Sequence, residues 1–199
     1  MAVRNRALAG GAAMDGFNFV FSLFGLLLGL SLAEVLGGFA RALRRRRVGQ
    51  LGWLTPLLAI FVMLDLTSFW GWAWKARAAI APHYYVLLIG LVVSGLYYLA
   101  ASVVFPAETG DHADLDAHYM AHRRQVLGAI WLCNLVGLGW AIVAYANTVV
   151  VSAWIGLALY NLLLVVGMVT SNRKLSIAVL IGLIGIYLEG AVEGAFLVQ

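Results

Sequence analysis

Residues 53–74 read WLTPLLAIFVMLDLTSFWGWAW. The run carries one charged residue, Asp65. About 20 mostly apolar residues, rising 1.5 Å each as a helix, cross the hydrocarbon core of a bilayer. Membrane β-strands would instead alternate apolar and polar residues in segments of about ten, so this run predicts a transmembrane helix. Five further runs of the same kind occupy residues 17–43, 84–105, 125–146, 148–170 and 175–197. The expected fold is all-α: one transmembrane domain over residues 1–199, a polytopic bundle of six transmembrane helices joined by short loops.

Composition carries the same message. Hydrophobic residues make up 63% of the 199 positions and charged residues 11%, against about 45–50% and 25% in soluble domains. A chain this small cannot bury so much apolar surface in water. That excludes a soluble enzyme, a disordered protein and a secreted disulfide scaffold. The single cysteine, Cys133, permits no intrachain disulfide and leaves the redox compartment unread. Pro56, Pro82 and Pro106 fall at or near the ends of apolar runs, where helix ends tolerate proline. Arg4 and Arg6 precede small residues without a long apolar core, a poor signal peptide. Residues 1–14 are expected to be a short tail, and Met14, opening MDGFNF, is an alternative start.

Positive charges orient the spans, because cytoplasmic loops are enriched in Lys and Arg. With six spans, one side holds Arg4, Arg6, Lys75 and Arg77. The other holds Arg41, Arg44–Arg47, Arg123, Arg124, Arg173 and Lys174, nine charges against four. The expectation is a multi-pass protein of the bacterial inner membrane with both termini non-cytoplasmic. Trp70, Trp72 and Trp74 would then join the outer aromatic belt. The net charge of +4 reports these anchors, not nucleic-acid binding. The fourth and fifth runs meet at Asn147–Thr148 and are expected to form a tight hairpin.

Acids inside spans are the strongest functional signal. A carboxylate at mid-bilayer costs ~2.5–3.5 kcal/mol even on the lenient insertion scale, so it faces a bundle interior or water. Asp65 lies in the middle of the second span, Glu34 in the inner part of the first, and Glu189 and Glu193 in the outer half of the sixth. Glu189 and Glu193 are one turn apart, with Gly190 and Gly194 beside them to permit close helix approach. Ser31, Glu34, Gly38 and Arg41 share one helical face; Asn18, Ser22, Gly25 and Gly29 form a second stripe opposite it. One reading makes Glu34, Asp65, Glu189 and Glu193 an ion or proton path. The other pairs Glu34 with Arg41, bonds Asp65 to Ser68 or a neighbouring helix, and leaves Glu193 in the headgroups.

Three other features remain. Asp114, His118 and His122 sit on one helix face at spacings suited to a metal; alternatively, Asp114 and Asp116 open a helix whose N-terminus favours acids. Arg41, Arg44, Arg45, Arg46 and Arg47 would contact anionic lipid headgroups at ~1 kcal/mol each, or serve only to anchor topology. Gly90 and Ser94 suit a small-residue helix contact, and Asn134 and Asn161 suit hydrogen bonds across helices.

The stretches DLDAHYMAHRR (114–124) and LGLSLAEVLGGFARAL (28–43) resemble uncharacterised six-span bacterial integral membrane proteins. The resemblance implies the six-span fold and carries no activity with it. There is no nucleotide-binding motif, no nucleophile motif and no HExxH. No pair of histidines lies within the spans to ligate haem, so neither an enzyme nor a cofactor is expected. The leading expectation is an oligomeric ion or proton channel or transporter. The alternative is a non-conducting accessory subunit, scaffold or lipid-binding protein. The expected partners are the lipid bilayer, anionic lipids, and either further copies of the chain or the other subunits of a membrane complex.

Overall fold

The computed structural model describes residues 2–45, 52–77, 80, 83–106, 114–145 and 151–196, with side chains from residue 16 onward except near some helix ends. Every element in these stretches is helical: α1 (Ala2–Arg45), α2 (Leu54–Lys75), α3 (Tyr84–Val104), α4 (Leu115–Tyr145), α5 (Val151–Val169) and α6 (Arg173–Phe196). Four segments are long and apolar enough to cross a membrane: Gly16–Arg44, Leu54–Lys75, Tyr84–Val104 and Arg173–Ala191. The apolar helix Trp154–Val169 is shorter. The chain is thus an all-α bundle of the membrane-embedded kind.

Two elements begin earlier than the apolar runs suggest. The tail expected at 1–14 is helical from Ala2, consistent with its alanines, the best helix formers. The loop expected before residue 125 is helical from Leu115. Its start has a local cause: Asp114 Oδ1 accepts from the backbone N of Asp116 at 2.9 Å and of Ala117 at 3.2 Å, a side-chain N-cap. Asn172 caps α6 in the same way through Lys174 N at 3.0 Å. The expected hairpin at Asn147–Thr148 lies outside the described residues.

The central helix is α2. It packs on α1, α3, α4 and α6, while α3, α4, α5 and α6 follow one another around it. Leu54, Leu58, Ala59, Phe61 and Val62 are fully buried. On α1 one stripe carries the packing: Phe17, Val20, Phe24, Leu28, Ser31, Val35, Gly38 and Ala42 are all buried, at spacings of three and four that keep them on one face. The second stripe expected on α1 does not pack, since Asn18 and Ser22 are exposed and a Cβ at Gly29 would meet nothing within 4 Å. Large side chains seat on small ones where α1 meets α3. The Phe24 ring lies against Gly90 and the Phe105 ring against Gly38, each so close that a Cβ would fall 2.5 Å and 2.3 Å from them.

One pair of neighbours is missing. Among the described residues α2 and α5 have no close backbone contact, so a gap lies between them inside the ring.

Candidate functional site

Asp65 sits in that gap. It is near the midpoint of α2, about 16 Å from either end at 1.5 Å per residue, and its side chain is fully buried. A buried carboxylate must be hydrogen-bonded or neutralised, because moving an isolated ion into low dielectric costs tens of kcal/mol. Four helices meet that demand. Tyr97 of α3 donates to Oδ2 at 2.7 Å. Asn134 Nδ2 of α4 and Tyr160 of α5 donate to Oδ1 at 3.1 Å and 2.8 Å. Tyr187 of α6 donates to Oδ1 as well. Among the described residues no Lys, Arg or His pairs with it.

Proton counting sharpens the geometry. Tyr160 Oη and Tyr187 Oη are 2.9 Å apart, so these two oxygens and Asp65 Oδ1 form a triangle of mutual hydrogen-bond contacts. An ionised carboxylate only accepts, and each phenol carries one proton. Two protons then serve three edges. A third proton, on the carboxyl group, would give every edge its own hydrogen. Asn134 adds no spare hydrogen: its two N–H groups face three acceptors, Asp65 Oδ1, Ile130 O at 3.0 Å and Tyr160 Oη at 3.2 Å.

The cluster floors a cavity of about 450 Å³. Its walls include Ser68, Trp72, Gly137, Gly156, Tyr160 and Tyr187. These residues lie in the halves of their helices on the Lys75 side of Asp65, so the cavity extends toward that end of the bundle. A second cavity of about 390 Å³ adjoins it, walled mainly by apolar side chains of α1, α2, α3 and α4. Phe69, Trp72 and Gly137 line both.

Among the described side chains, the other acids expected on the path do not join Asp65. Glu34 is half-exposed on α1 and pairs with Arg41 at 3.4 Å. Glu189 is exposed; two residues past Tyr187, it points some 200° away from it around α6. Glu193 lies in α6, and its side chain is outside the described residues. No two of Glu34, Asp65 and Glu189 share a hydrogen bond or a cavity. Of the arginine cluster, Arg41 and Arg44 are exposed at the end of α1. Arg45 ends the helix with its side chain undescribed, and Arg46 and Arg47 lie outside the described residues.

Nor are Asp114, His118 and His122 brought together as a three-ligand set; among the described residues no group of three such side chains could hold a metal. Asp114 caps α4. His118 Nε2 lies 2.9 Å from Val103 O, and His122 Nδ1 lies 3.0 Å from His118 O. The two rings stack with centroids 4.2 Å apart and planes 28° from parallel, an arrangement held by ring contact and backbone carbonyls.

The loop's structural role falls instead to Asp116. Its Oδ1 accepts from Leu54 N at 2.9 Å, capping α2 from another helix, and its carboxylate pairs with Arg173 of α6. Beside it Thr55 Oγ1 donates to Leu115 O at 2.5 Å. The ends of α2, α4 and α6 are thereby fastened together. Trp131 Nε1 likewise ties α4 to α5 through Asn161 Oδ1 at 2.9 Å.

Comparison of the chain with protein-family models, with curated proteins and with solved structures finds no match.

The three tyrosines are the site residues that sequence reasoning missed. Tyrosine is common where spans meet the headgroups, which hides an interior one. The available signal was depth: Tyr97, Tyr160 and Tyr187, like Asp65 and Asn134, each stand near the middle of an apolar run.

Proposed function

We propose that the chain is a six-span membrane protein that moves protons or small cations, with Asp65 as the group that binds them. The observation that carries this reading is the triangle of Asp65, Tyr160 and Tyr187, one proton short when the carboxylate is ionised. A carboxylate held among neutral donors, beside a cavity and without a cationic partner, is suited to take up a positive charge from that cavity. The titratable groups around it are Tyr97 on α3, Cys133 on α4, Tyr160 on α5 and Tyr187 on α6, none of them a cation. Among the described side chains, the carboxylate path expected from the sequence thus narrows to one acid, with Glu193 outside them. The placing of nine arginines and lysines on one side favours an inner-membrane protein with the cavity facing the non-cytoplasmic side.

Proteoliposomes test the proposal. Under an imposed pH gradient or salt gradient, the protein should dissipate the gradient, and Asp65→Asn should abolish the flux. Absence of flux from the unaltered protein under both gradients would sink the reading and favour a non-conducting membrane component.

A further inference from the structure

The donors around Asp65 leave a chemical imprint on the cavity. Three phenol hydrogens point at the carboxylate. Ser68 Oγ donates to Asp65 O at 2.8 Å, and the Cys133 thiol donates to Val93 O at 3.5 Å. The hydrogens of Asn134 are likewise taken. What these polar groups can still offer a ligand is oxygen lone pairs. Among the lining side chains described, only the Trp72 indole N–H has no acceptor. The rest of the wall is aromatic faces and aliphatic carbon: Phe69 packs edge-on to Tyr97 at 5.6 Å and tilted against Trp72 at 5.9 Å. Aromatic faces attract cations. A wall of acceptors and π-faces, backed by a carboxylate, complements a donor that carries positive charge.

The adjoining cavity specifies the remainder of that ligand. Its lining is almost wholly apolar, with Phe17, Phe21, Phe24, Ile89 and Val93 among its walls. Phe69, Trp72 and Gly137 form the wall that the two cavities share. Each volume falls in the ~300–1,000 Å³ range of small-molecule sites. We propose that the paired cavities bind a lipophilic ammonium ion, its N–H donors directed at Tyr160, Tyr187 and Asn134 and its apolar body lodged past Phe69 and Trp72. The ammonium fills the edge of the triangle that a proton would otherwise fill, so the two compete for one carboxylate. This rests on the reading of Asp65 as the cation-binding group.

The test is isothermal titration of the full chain in detergent at neutral pH with phenylbutylamine, which is protonated there, and with phenylbutanol, its neutral counterpart. The amine should bind at least tenfold more tightly than the alcohol, and Asp65→Asn should remove that preference. Gly156→Leu supplies a second variant. Gly156 lines the polar cavity and a Cβ there meets nothing within 4 Å, so a leucine side chain can start there without a clash, and by taking up cavity volume it should weaken amine binding at least tenfold. Equal binding of amine and alcohol by the unaltered protein would overturn the proposal, as the signature of an apolar pocket for lipid chains. Amine binding unaffected by Gly156→Leu would also overturn it. Discrimination without proton flux in proteoliposomes would support the binding site while removing the transport reading. Flux without discrimination would keep that reading and overturn the amine site.

Discussion

Tyr160 meets Asp65 across a gap: the hydroxyl lies 2.8 Å from Oδ1, although their helices, α5 and α2, have no close backbone contact among the described residues. Side chains alone span that distance, so the contact depends on the hydroxyl and not on helix packing. Tyr160→Phe should remove one donor and cost about 1.5–3 kcal/mol, the usual worth of a hydrogen bond to a charged group. Asp65→Leu should cost several kcal/mol, because it removes the acceptor that three hydroxyls and an amide share, and a buried donor left unpaired costs ~1–3 kcal/mol. Thermal unfolding in detergent checks the order. A Tyr160→Phe loss as large as that of Asp65→Leu would contradict it.

The clamp at the other end of α2 is sensitive to one methyl group. A Cβ at Gly52 would sit 2.0 Å from Asp116 Oδ1. Gly52→Ala should therefore displace the carboxylate from Leu54 N and from Arg173, destabilising the protein by about 1–3 kcal/mol as a buried hydrogen-bond partner is lost. Asp116→Asn, which retains a capping oxygen, should cost less. Melting temperatures of the two variants decide the ranking.

At the α1–α3 contact, the Phe105 ring occupies the space that a side chain at Gly38 would need. Gly38→Val should cost about 1–3 kcal/mol through overpacking. In the double variant with Phe105→Ala the valine should recover part of that loss, a favourable coupling of 0.5 kcal/mol or more, roughly the lower bound for residues in contact. Strict additivity would mean the two positions do not touch.

The stacked histidines make a prediction about metal content. Each ring already has one nitrogen on a backbone carbonyl, and Asp114 is committed to the start of α4. Elemental analysis of purified protein should give the same zinc content for the unaltered chain and for the His118→Ala, His122→Ala variant. A stoichiometric difference would restore the metal reading.

Topology yields to a reporter fused after Gln199. With the nine-charge side in the cytoplasm, it should read as non-cytoplasmic; a cytoplasmic signal would reverse the bundle in the membrane.

The legible and illegible parts of this molecule divide along physical lines. Asp65 stood out because an isolated charge in an apolar run has no cheap alternative to a built environment. Asn134 and Asn161 were readable as helix-bridging amides for the same reason. The facing of Glu189 was not readable. Helix α6 is apolar around much of its circumference, with Ile181 and Leu188 exposed as Glu189 is, so periodicity marks no inward side. The i, i+4 spacing of Glu189 and Glu193 said only that they share a face, not which way it turns. The metal-like spacing of His118 and His122 misled because stacking and backbone carbonyls satisfy the same spacing. Asp116, the acid that fastens three helices, looked like one of two ordinary helix-opening aspartates. Its partners, Leu54 and Arg173, lie 62 and 57 positions away in the chain, beyond any local pattern.

The spread of donors around Asp65 also sets an order for making the protein. Helix α2 leaves the ribosome well before α6, since Tyr187 follows Asp65 by 122 residues. Until α6 has joined the bundle, the carboxylate lacks the Tyr187 donor and α2 is a poorly satisfied passenger in an apolar setting. Docking of α6 therefore completes the donor set of Asp65, and a nascent chain that stops after α5 still carries the unmet demand of a single aspartate.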